Sequence, residues 1–376
     1  MNKGQKILTV TLLVLNLVSV VSLLASYGAA FINPGKAWIF AFFGLAYPVI
    51  LLINIIFVFI WLIIWKRYIF LSLICILLGW NNLRALYPFR FYASRQSNGI
   101  NLKVLSYNVH RLYGQNRSTR SGETRSKVTE FLVGQKADIM FIQEFFAKGE
   151  DYLITLEKFT KSINLEYYSF TNYRGFQYKQ KINAIAIFSK YPIVNSGHFK
   201  LQDGSLFAVF ADIVINEDTI RLYNLHLESI RFGNEDYSFY SHLTEPDNEN
   251  EAIQLKEGSK RMLWKLRKAF ILRAAQVSIL SDDVALCRYP VILGGDFNDT
   301  PSSYTYYQLT QTLNDSFKES GKGFFESTYL GKFPSFRIDY IMYSSHFKSV
   351  EYKKIDVSLS DHYPIVSTLI YKAKKQ

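Results

Sequence analysis

The sequence predicts an α/β protein: a two-sheet β-sandwich flanked by helices, preceded by N-terminal transmembrane helices. Two observations predict it. Residues 1–100 hold eight Lys/Arg (Lys3, Lys6, Lys36, Lys66, Arg67, Arg84, Arg90, Arg95), no Asp or Glu, and long apolar runs. From Asn101 the texture changes to short β-rich runs alternating with helical stretches, and strands dominate. A sheet hides one face against a partner layer, so many short strands with helices between them imply two stacked sheets under helices.

The elements follow in order. Residues 1–90 read as a membrane anchor with about three transmembrane helices. Ile7 to Ile32 is almost uninterrupted apolar sequence behind Lys3 and Lys6. It exceeds the roughly 20 residues that cross a hydrocarbon core about 30 Å thick. The alternative is a cleaved signal peptide, which its length and the second span directly after it disfavour. Trp38 to Trp65 is the second span and Tyr68 to Trp80 a shorter third. Lys3 and Lys6 precede span one, and Lys66 and Arg67 lie between spans two and three. Basic flanks stay in the cytoplasm, so three spans put the C-terminal region outside it, whereas a third segment lying only in the interface would leave it in the cytoplasm. Trp38, Trp61, Trp65, Trp80 and Tyr87 sit near span ends, as interfacial aromatics do. No carboxylate falls within the spans, which argues against a transporter or proton relay.

Residues 101–372 form the second unit. Strands are expected at Leu102–Tyr107, Asp138–Ile142, Ala184–Phe188, Leu206–Ile215, Ile220–Leu225, Val291–Leu293, Ile338–Tyr343 and Ile365–Ile370. Helices are expected at Thr124–Gly134 and Gly258–Leu286, the latter placing Met262, Leu266, Ala269, Phe270 and Val277 near one face. Ser229–Gly258 is polar and reads as a long surface loop facing substrate. The chain carries +12 overall, but residues beyond 100 hold 35 basic against 31 acidic groups, a net of +4. Most of the excess flanks apolar segments, so charge alone does not favour a nucleic-acid partner. Cys75 lies in an apolar run and Cys287 before a strand, so a structural disulfide is not expected.

Six segments end strands with polar residues: Leu105-Ser106-Tyr107-Asn108, Phe141-Ile142-Gln143-Glu144, Leu222-Tyr223-Asn224-Leu225-His226-Leu227, Gly295-Asp296-Phe297-Asn298, Arg337-Ile338-Asp339-Tyr340-Ile341 and Ser360-Asp361-His362. Strand ends can converge on one rim of a sandwich. Hydrolysis of a phosphate ester needs hard oxygen ligands for a divalent metal, a carboxylate for the attacking water, and donors for charge on phosphorus. Taken singly, each segment has a bland account. Asn108 suits a turn, Glu144 can leave a strand for solvent, His226 can be a satisfied core histidine, and Asp299-Thr300-Pro301 can start a helix. Asp339 inside an apolar strand is different, because a buried carboxylate is costly unless paired, and His362 or a metal would pair it. Asp296 and Asn298, one residue apart on an extended chain, share a face.

In this order the motifs resemble the endonuclease/exonuclease/phosphatase superfamily of DNase I-like nucleases, apurinic endonucleases, inositol polyphosphate phosphatases and neutral sphingomyelinases. The resemblance covers roughly Leu102 to Ile370, and the apolar front resembles membrane-bound bacterial members. It implies that Asn108 and Glu144 bind a catalytic Mg²⁺ (or Mn²⁺), with Asp361 as a further ligand. It implies that Asp296 deprotonates the attacking water, Asn298 holds the scissile phosphate, and His362 donates to a non-bridging oxygen with Asp339 fixing its protonation. His226 matches a position near the phosphate or leaving group. Lys190, in the run Ala184 to Pro192, resembles the strand before the family's substrate loop. The residues independently predict an acid–imidazole pair, Asp339–His362, that keeps the ring cationic.

The expected function is a membrane-anchored, metal-dependent phosphodiesterase in the bacterial inner membrane, multi-pass, with an extracytoplasmic catalytic domain. Its partners are the lipid bilayer and a phosphoester substrate, a lipid head group or nucleic acid, with no protein partner. Tethering raises the local concentration of lipid substrate. An anchored nuclease is the alternative, favoured by Arg111, Arg117, Arg120 and Arg125 after Asn108. A binding module that lost its chemistry is disfavoured, because every expected catalytic residue type is present.

Overall fold

A computed structural model describes residues 3–88, 99–112, 122–148, 152–172, 181–233, 235–236, 251–323, 326–331 and 336–372. Arg117, Arg120 and most of the expected loop Ser229–Gly258 lie outside them. That loop ends earlier than the sequence suggests, because the following helix starts at Glu251.

Among the described residues, twelve strands form two six-stranded sheets. The first holds β1 (Ile100–Asn108), β2 (Ile139–Lys148), β3 (Tyr167–Asn172), β4 (Lys181–Ser189), β11 (Phe347–Lys354) and β12 (Ile365–Tyr371), in the order β11-β12-β1-β2-β4-β3. The second holds β5 (Ile193–Lys200), β6 (Leu206–Ile215), β7 (Asp218–His226), β8 (Val291–Asp296), β9 (Asn314–Asp315) and β10 (Asp339–Tyr343), in the order β5-β6-β7-β8-β10-β9. Alternation sorts each strand between two buried faces. Leu102, Val104, Ile139 and Phe141 point inward to meet Val209, Leu222, Ile292 and Ile341 of the other sheet. Leu105, Tyr107, Met140 and Ile142 point outward, under Val128, Leu132, Leu156 and Ile163. The last four lie on two helices, Gly122–Gln135 and Tyr152–Ile163. Val277, Leu280 and Val284 of helix Glu251–Leu286 cover the second sheet. Burial on both faces explains why these strands read as continuous apolar runs.

In the N-terminal part, α1 (Lys3–Phe31) is long and apolar enough to cross a membrane, and the short α2 (Pro34–Ala37) follows it. The second and third expected spans are not straight helices. The second bends by 65° between α3 (Ile39–Leu45) and α4 (Tyr47–Ile63), and the third by 71° between α5 (Ile69–Leu78) and α6 (Trp80–Leu86). Pro48 at the start of α4 lacks the N–H that would continue the preceding helix. Gly79 sits at the second bend, where a Cβ would lie 2.1 Å from the Tyr27 ring. By length and composition, up to three spans result if each bent pair counts as one.

α1, α4 and α5 pack together with polar groups inside. Asn16 donates to Ser72 (2.6 Å) and accepts from the Trp61 indole (2.9 Å). Asn54 donates to the Ser19 hydroxyl (2.7 Å) and accepts from Ser72 (2.9 Å). These pairings run α1 antiparallel to α4 and parallel to α5. Lys3 and Lys6 therefore share one end of the bundle with Lys66 and Arg67.

The sandwich docks on the other end. Phe31 meets Tyr307 with ring centres 4.6 Å apart, and Phe42 meets Phe270 at 5.2 Å. Arg267 stacks over Trp38, and Arg337 donates to the Ala85 carbonyl at 2.8 Å. Ala85 joins the apolar cluster that also holds Phe207, Leu293 and Tyr340. A Cβ on Gly44 would stand 2.7 Å from the Ser302 carbonyl oxygen, so the bundle and the loop after β8 touch backbone to backbone.

Candidate active site

Pairing register gathers the polar strand ends. β1 and β2 run parallel with Asn108 opposite Gln143. β7 and β8 run parallel with His226 opposite Asp296, and β10 runs antiparallel to β8 with Asp339 opposite Asp296. His362 enters beside Tyr329 through an isolated bridge. The glycine pair before Asp296 is required sterically. A Cβ on Gly294 would lie 2.3 Å from the Phe141 ring of the facing sheet. Gly295 has φ +142, and its Cβ would lie 2.2 Å from the Leu225 carbonyl oxygen.

Asp296 is the centre of the cluster. Its Oδ2 accepts from Asn108 Nδ2 at 3.0 Å and its Oδ1 from the Asn298 backbone N–H at 2.8 Å. The Nε2 atoms of His226 and His362 each lie 3.7 Å from Oδ2. His226 Nε2 also lies 3.9 Å from Glu144 Oε1, and Arg111 Nε stands 3.3 Å from Glu144 Oε2. His362 Nδ1 bonds Asp339 Oδ2 at 2.9 Å. Asp361 faces His110 Nδ1 at 3.3 Å. Beneath the rim, Gln143 donates to Asn224 (2.6 Å), and Asn224 donates to the Ile142 and Ala186 carbonyls, tying the sheets together.

Backbone strain concentrates here. Glu144 has φ +51, in the irregularity where the β2–β4 register shifts between Ile142 and Phe145. His110 (φ +43), Arg111 (φ +53) and Asn298 (φ +52) are also left-handed. Non-glycine residues hold this conformation only where surroundings over-determine it, at a cost of about 1–3 kcal/mol each. For Glu144, the shift turns its carboxylate towards His226 and Arg111. Asn298 is a residue that tolerates this backbone, and its Nδ2 donates to the Leu227 carbonyl at 3.0 Å. Asn108 meets the turn expectation and also joins the cluster. Its Oδ1 accepts from the His110 N–H at 3.0 Å in a turn, while its Nδ2 reaches Asp296.

Burial pushes the Asp339 carboxyl up to about 6 against the pull of His362. Burial also opposes a charged His362, but Asp339 and Asp296 outweigh it and hold the ring well above its usual value. Two carboxylates facing one imidazole make it a cation.

Asp296, Asp339 and His362 each offer a ligand atom, all within 4.8 Å of one another, a grouping that could hold a metal ion. A doubly protonated imidazole has no lone pair to give, so this corner suits a proton better than a metal. Asn108, Glu144 and Asp361 carry oxygen donors of the type Mg²⁺ or Mn²⁺ takes. Two basic side chains, Arg111 and His226, face the Glu144 carboxylate there. The donor set and its attraction for positive charge fit a hard divalent ion.

Residues 105–362 match the Endonuclease/Exonuclease/phosphatase family. The chain belongs to this family. Membership accords with the two helix-flanked sheets and makes the chain a hydrolase. Residues 6–86 match a second family, described as a domain of unknown function (DUF8431). No curated protein matches the chain. Among solved structures, it is similar to an endonuclease/exonuclease/phosphatase family protein from Bacteroides thetaiotaomicron (18% identity, 73% of this chain, 100% of that one, TM-score 0.48). It is also similar to a mannosyl-6-phosphatase from the same organism (18%, 72% and 100%, TM-score 0.48). A third is the human Nocturnin catalytic domain with bound sulfate (17%, 73% and 97%, TM-score 0.49).

In this family member, Asn108, Glu144, His226, Asp296, Asp339 and His362 form one connected cluster. Asp361 joins through His110, and Asn298 touches it by its backbone. Lys190 pairs instead with Asp138 at 3.3 Å on an exposed surface. His110 and Thr328 were not singled out in the sequence. Thr328 Oγ1 accepts from the Ile338 and Asp339 N–H groups and seats Asp339. Only the position of His110, two residues past Asn108, marked it in advance.

Proposed function

We propose that the protein is a membrane-anchored, divalent-metal-dependent phosphodiesterase that hydrolyses a lipid head-group phosphodiester. One observation carries this reading. The loops that hold the site are the loops that dock on the apolar bundle. Ser302, against Gly44, lies six residues past Asp296, and Arg337, on Ala85, lies two before Asp339. Six residues reach at most about 20 Å, so the site sits within head-group distance of the bundle end. The bundle's topology supports the rest. Both basic clusters lie at the end away from the sandwich, which favours a multi-pass anchor in the inner membrane with the catalytic domain outside the cytoplasm.

Asn108, Glu144 and Asp361 would hold the metal, which supplies Lewis-acid stabilisation of the phosphoryl oxygens. Asp296 accepts the proton of the attacking water as the water oxygen bonds phosphorus and the ester P–O bond breaks. The Asn108 and Asn298 contacts fix the direction of its lone pairs. The His362 imidazolium, locked by Asp339, donates to a non-bridging oxygen as charge grows there. His226, between Asp296 and Glu144, stands at the phosphate or leaving group.

The test is turnover of bis-p-nitrophenyl phosphate by the detergent-solubilised full chain. Turnover should need Mg²⁺ or Mn²⁺, stop with EDTA, and vanish in Glu144→Ala. Metal-independent turnover, or full turnover in that variant, refutes the chemistry. Labelled phospholipid against plasmid DNA then decides substrate, and DNA nicking at lipid-inactive concentrations favours a nuclease. For the nuclease reading, Arg111 pairs with Glu144 and so offers less to a polyanion than its position implied.

A further inference from the structure

Between the bundle and the sandwich lies a cavity lined by Pro48, Leu86, Thr300, Pro301, Ser302, Glu326, Phe336 and Arg337. Its walls have two characters. Pro48 and Leu86, from the bundle, and Phe336 are apolar. Thr300, Ser302, Glu326 and Arg337 are polar, and each leaves a buried atom without a hydrogen-bond partner in the protein: Thr300 Oγ1, Ser302 Oγ, Glu326 Oε2 and Arg337 Nη1. Thr300 is 5% exposed, Ser302 2% and Arg337 4%. A buried polar atom left unpaired costs about 1–3 kcal/mol, more if charged, so four in one cavity require a partner.

The donors select that partner. Arg337 is already half engaged: Nη2 meets Asp315 at 2.9 Å and the Ala85 carbonyl at 2.8 Å, and the guanidinium stacks on Phe317 and Tyr340. These contacts fix Nη1 as a rigid donor. Two hydroxyls add donors beside it. We propose that this cavity is a binding site for a phosphate group, separate from the catalytic rim, seated on Arg337 Nη1, Thr300 Oγ1 and Ser302 Oγ. The apolar walls and the position at the bundle end suit the head group of an anionic phospholipid with its chains along Leu86; free inorganic phosphate shares the recognised chemistry. Burial lifts the Glu326 carboxyl to about 7, so near neutrality it is half protonated and presents less opposing charge.

The test uses the full chain in uncharged detergent with EDTA present, read as the thermal unfolding midpoint. Three probes are titrated: inorganic phosphate, phosphatidylglycerol and diacylglycerol. The wild type should show a saturable rise of several degrees with phosphatidylglycerol or phosphate. In Thr300→Val/Ser302→Ala the titration should move at least tenfold to higher ligand, while the ligand-free midpoint stays level or rises because two orphaned hydroxyls are gone. A rise with phosphatidylglycerol alone identifies a head-group site; an equal rise with phosphate identifies a free-anion site. Superimposable titrations in wild type and variant, no saturable rise with either phosphate probe, or an equal rise with diacylglycerol overturns the proposal. The phosphate probe does not depend on the anchor reading, and none of these readouts depends on catalysis.

Discussion

The bundle and the sandwich rim both bury polar side chains, and they do so in opposite ways. In the bundle, Trp61, Asn16, Ser72, Asn54 and Ser19 form a neutral chain with hydrogen bonds of 2.6–2.9 Å. Outside it, Ile7, Leu8, Val10, Val18 and Leu52 are exposed. This inside-out pattern suits lipid, where apolar surface gains nothing by burial and interhelical hydrogen bonds hold helices together. At the rim the groups are charged, several backbones are left-handed, and both histidines stand 3.7 Å from Asp296, beyond hydrogen-bond range. The first network is complete and holds helices. The second keeps capacity for another molecule.

The comparison breaks most easily at Asp296. Asp296→Asn keeps shape but removes the proposed proton acceptor. Turnover should fall about 10³- to 10⁴-fold, with the unfolding midpoint displaced by only a few degrees. Retained turnover would put the water-activating role elsewhere.

The next effect is on stability. His362→Ala leaves Asp339 buried opposite no cation, a loss of about 3–5 kcal/mol. Asp339→Asn/His362→Ala should recover part of it in denaturant melts while remaining inactive. A double variant no more stable than His362→Ala would mean that the pair is not an ion pair.

Glu326 sharpens the contrast with the cavity. Its folded carboxyl, raised from 4.5 to about 7, holds a proton that the unfolded chain releases. The folded state binds more protons between those values, so stability falls as pH rises from 4.5 to 7, by about 3 kcal/mol at most. Glu326→Gln should flatten that slope and be the more stable protein at pH 8. Unfolding midpoints at pH 5 and pH 8 measure it, and an unchanged slope would show that the carboxyl is not buried as described.

The strands most legible in the sequence are those with both faces buried. Leu206–Ile215 and Ile365–Tyr371 are visible because β-branched and apolar residues dominate them, with polar interruptions only at Asp212, Ser367 and Thr368. The edge strand Ile193–Lys200 was not, because most of its residues face solvent and Asn195, Ser196 and Gly197 read as a loop. Lys-rich Phe347–Lys354 was hidden likewise at the opposite edge. Helix Tyr152–Ile163 carries only a short amphipathic signal, Leu156, Phe159 and Ile163. At the site, chain order supplied residue types, and register brought them together. The turn at His110 is started locally by Asn108, but the Arg111 contact with Glu144 that completes it is distant in sequence. The bundle's asparagines looked unremarkable among apolar neighbours, since only packing reveals that they face one another.

The smallest effect is the one that separates the two networks. Asn54→Leu removes three hydrogen bonds across the bundle, two to Ser19 and one to Ser72. In a membrane such a bond is worth about 0.6–2 kcal/mol, because the separated helices also find partners. In water the same change would relieve a buried polar group and could even stabilise a core. Loss of about 1 kcal/mol in lipid nanodiscs, with turnover unchanged, marks the bundle as a scaffold built for lipid. A variant that keeps its stability but loses turnover would mean that helix registration reaches the rim through Gly44 and Ser302, which touch four residues past Asn298.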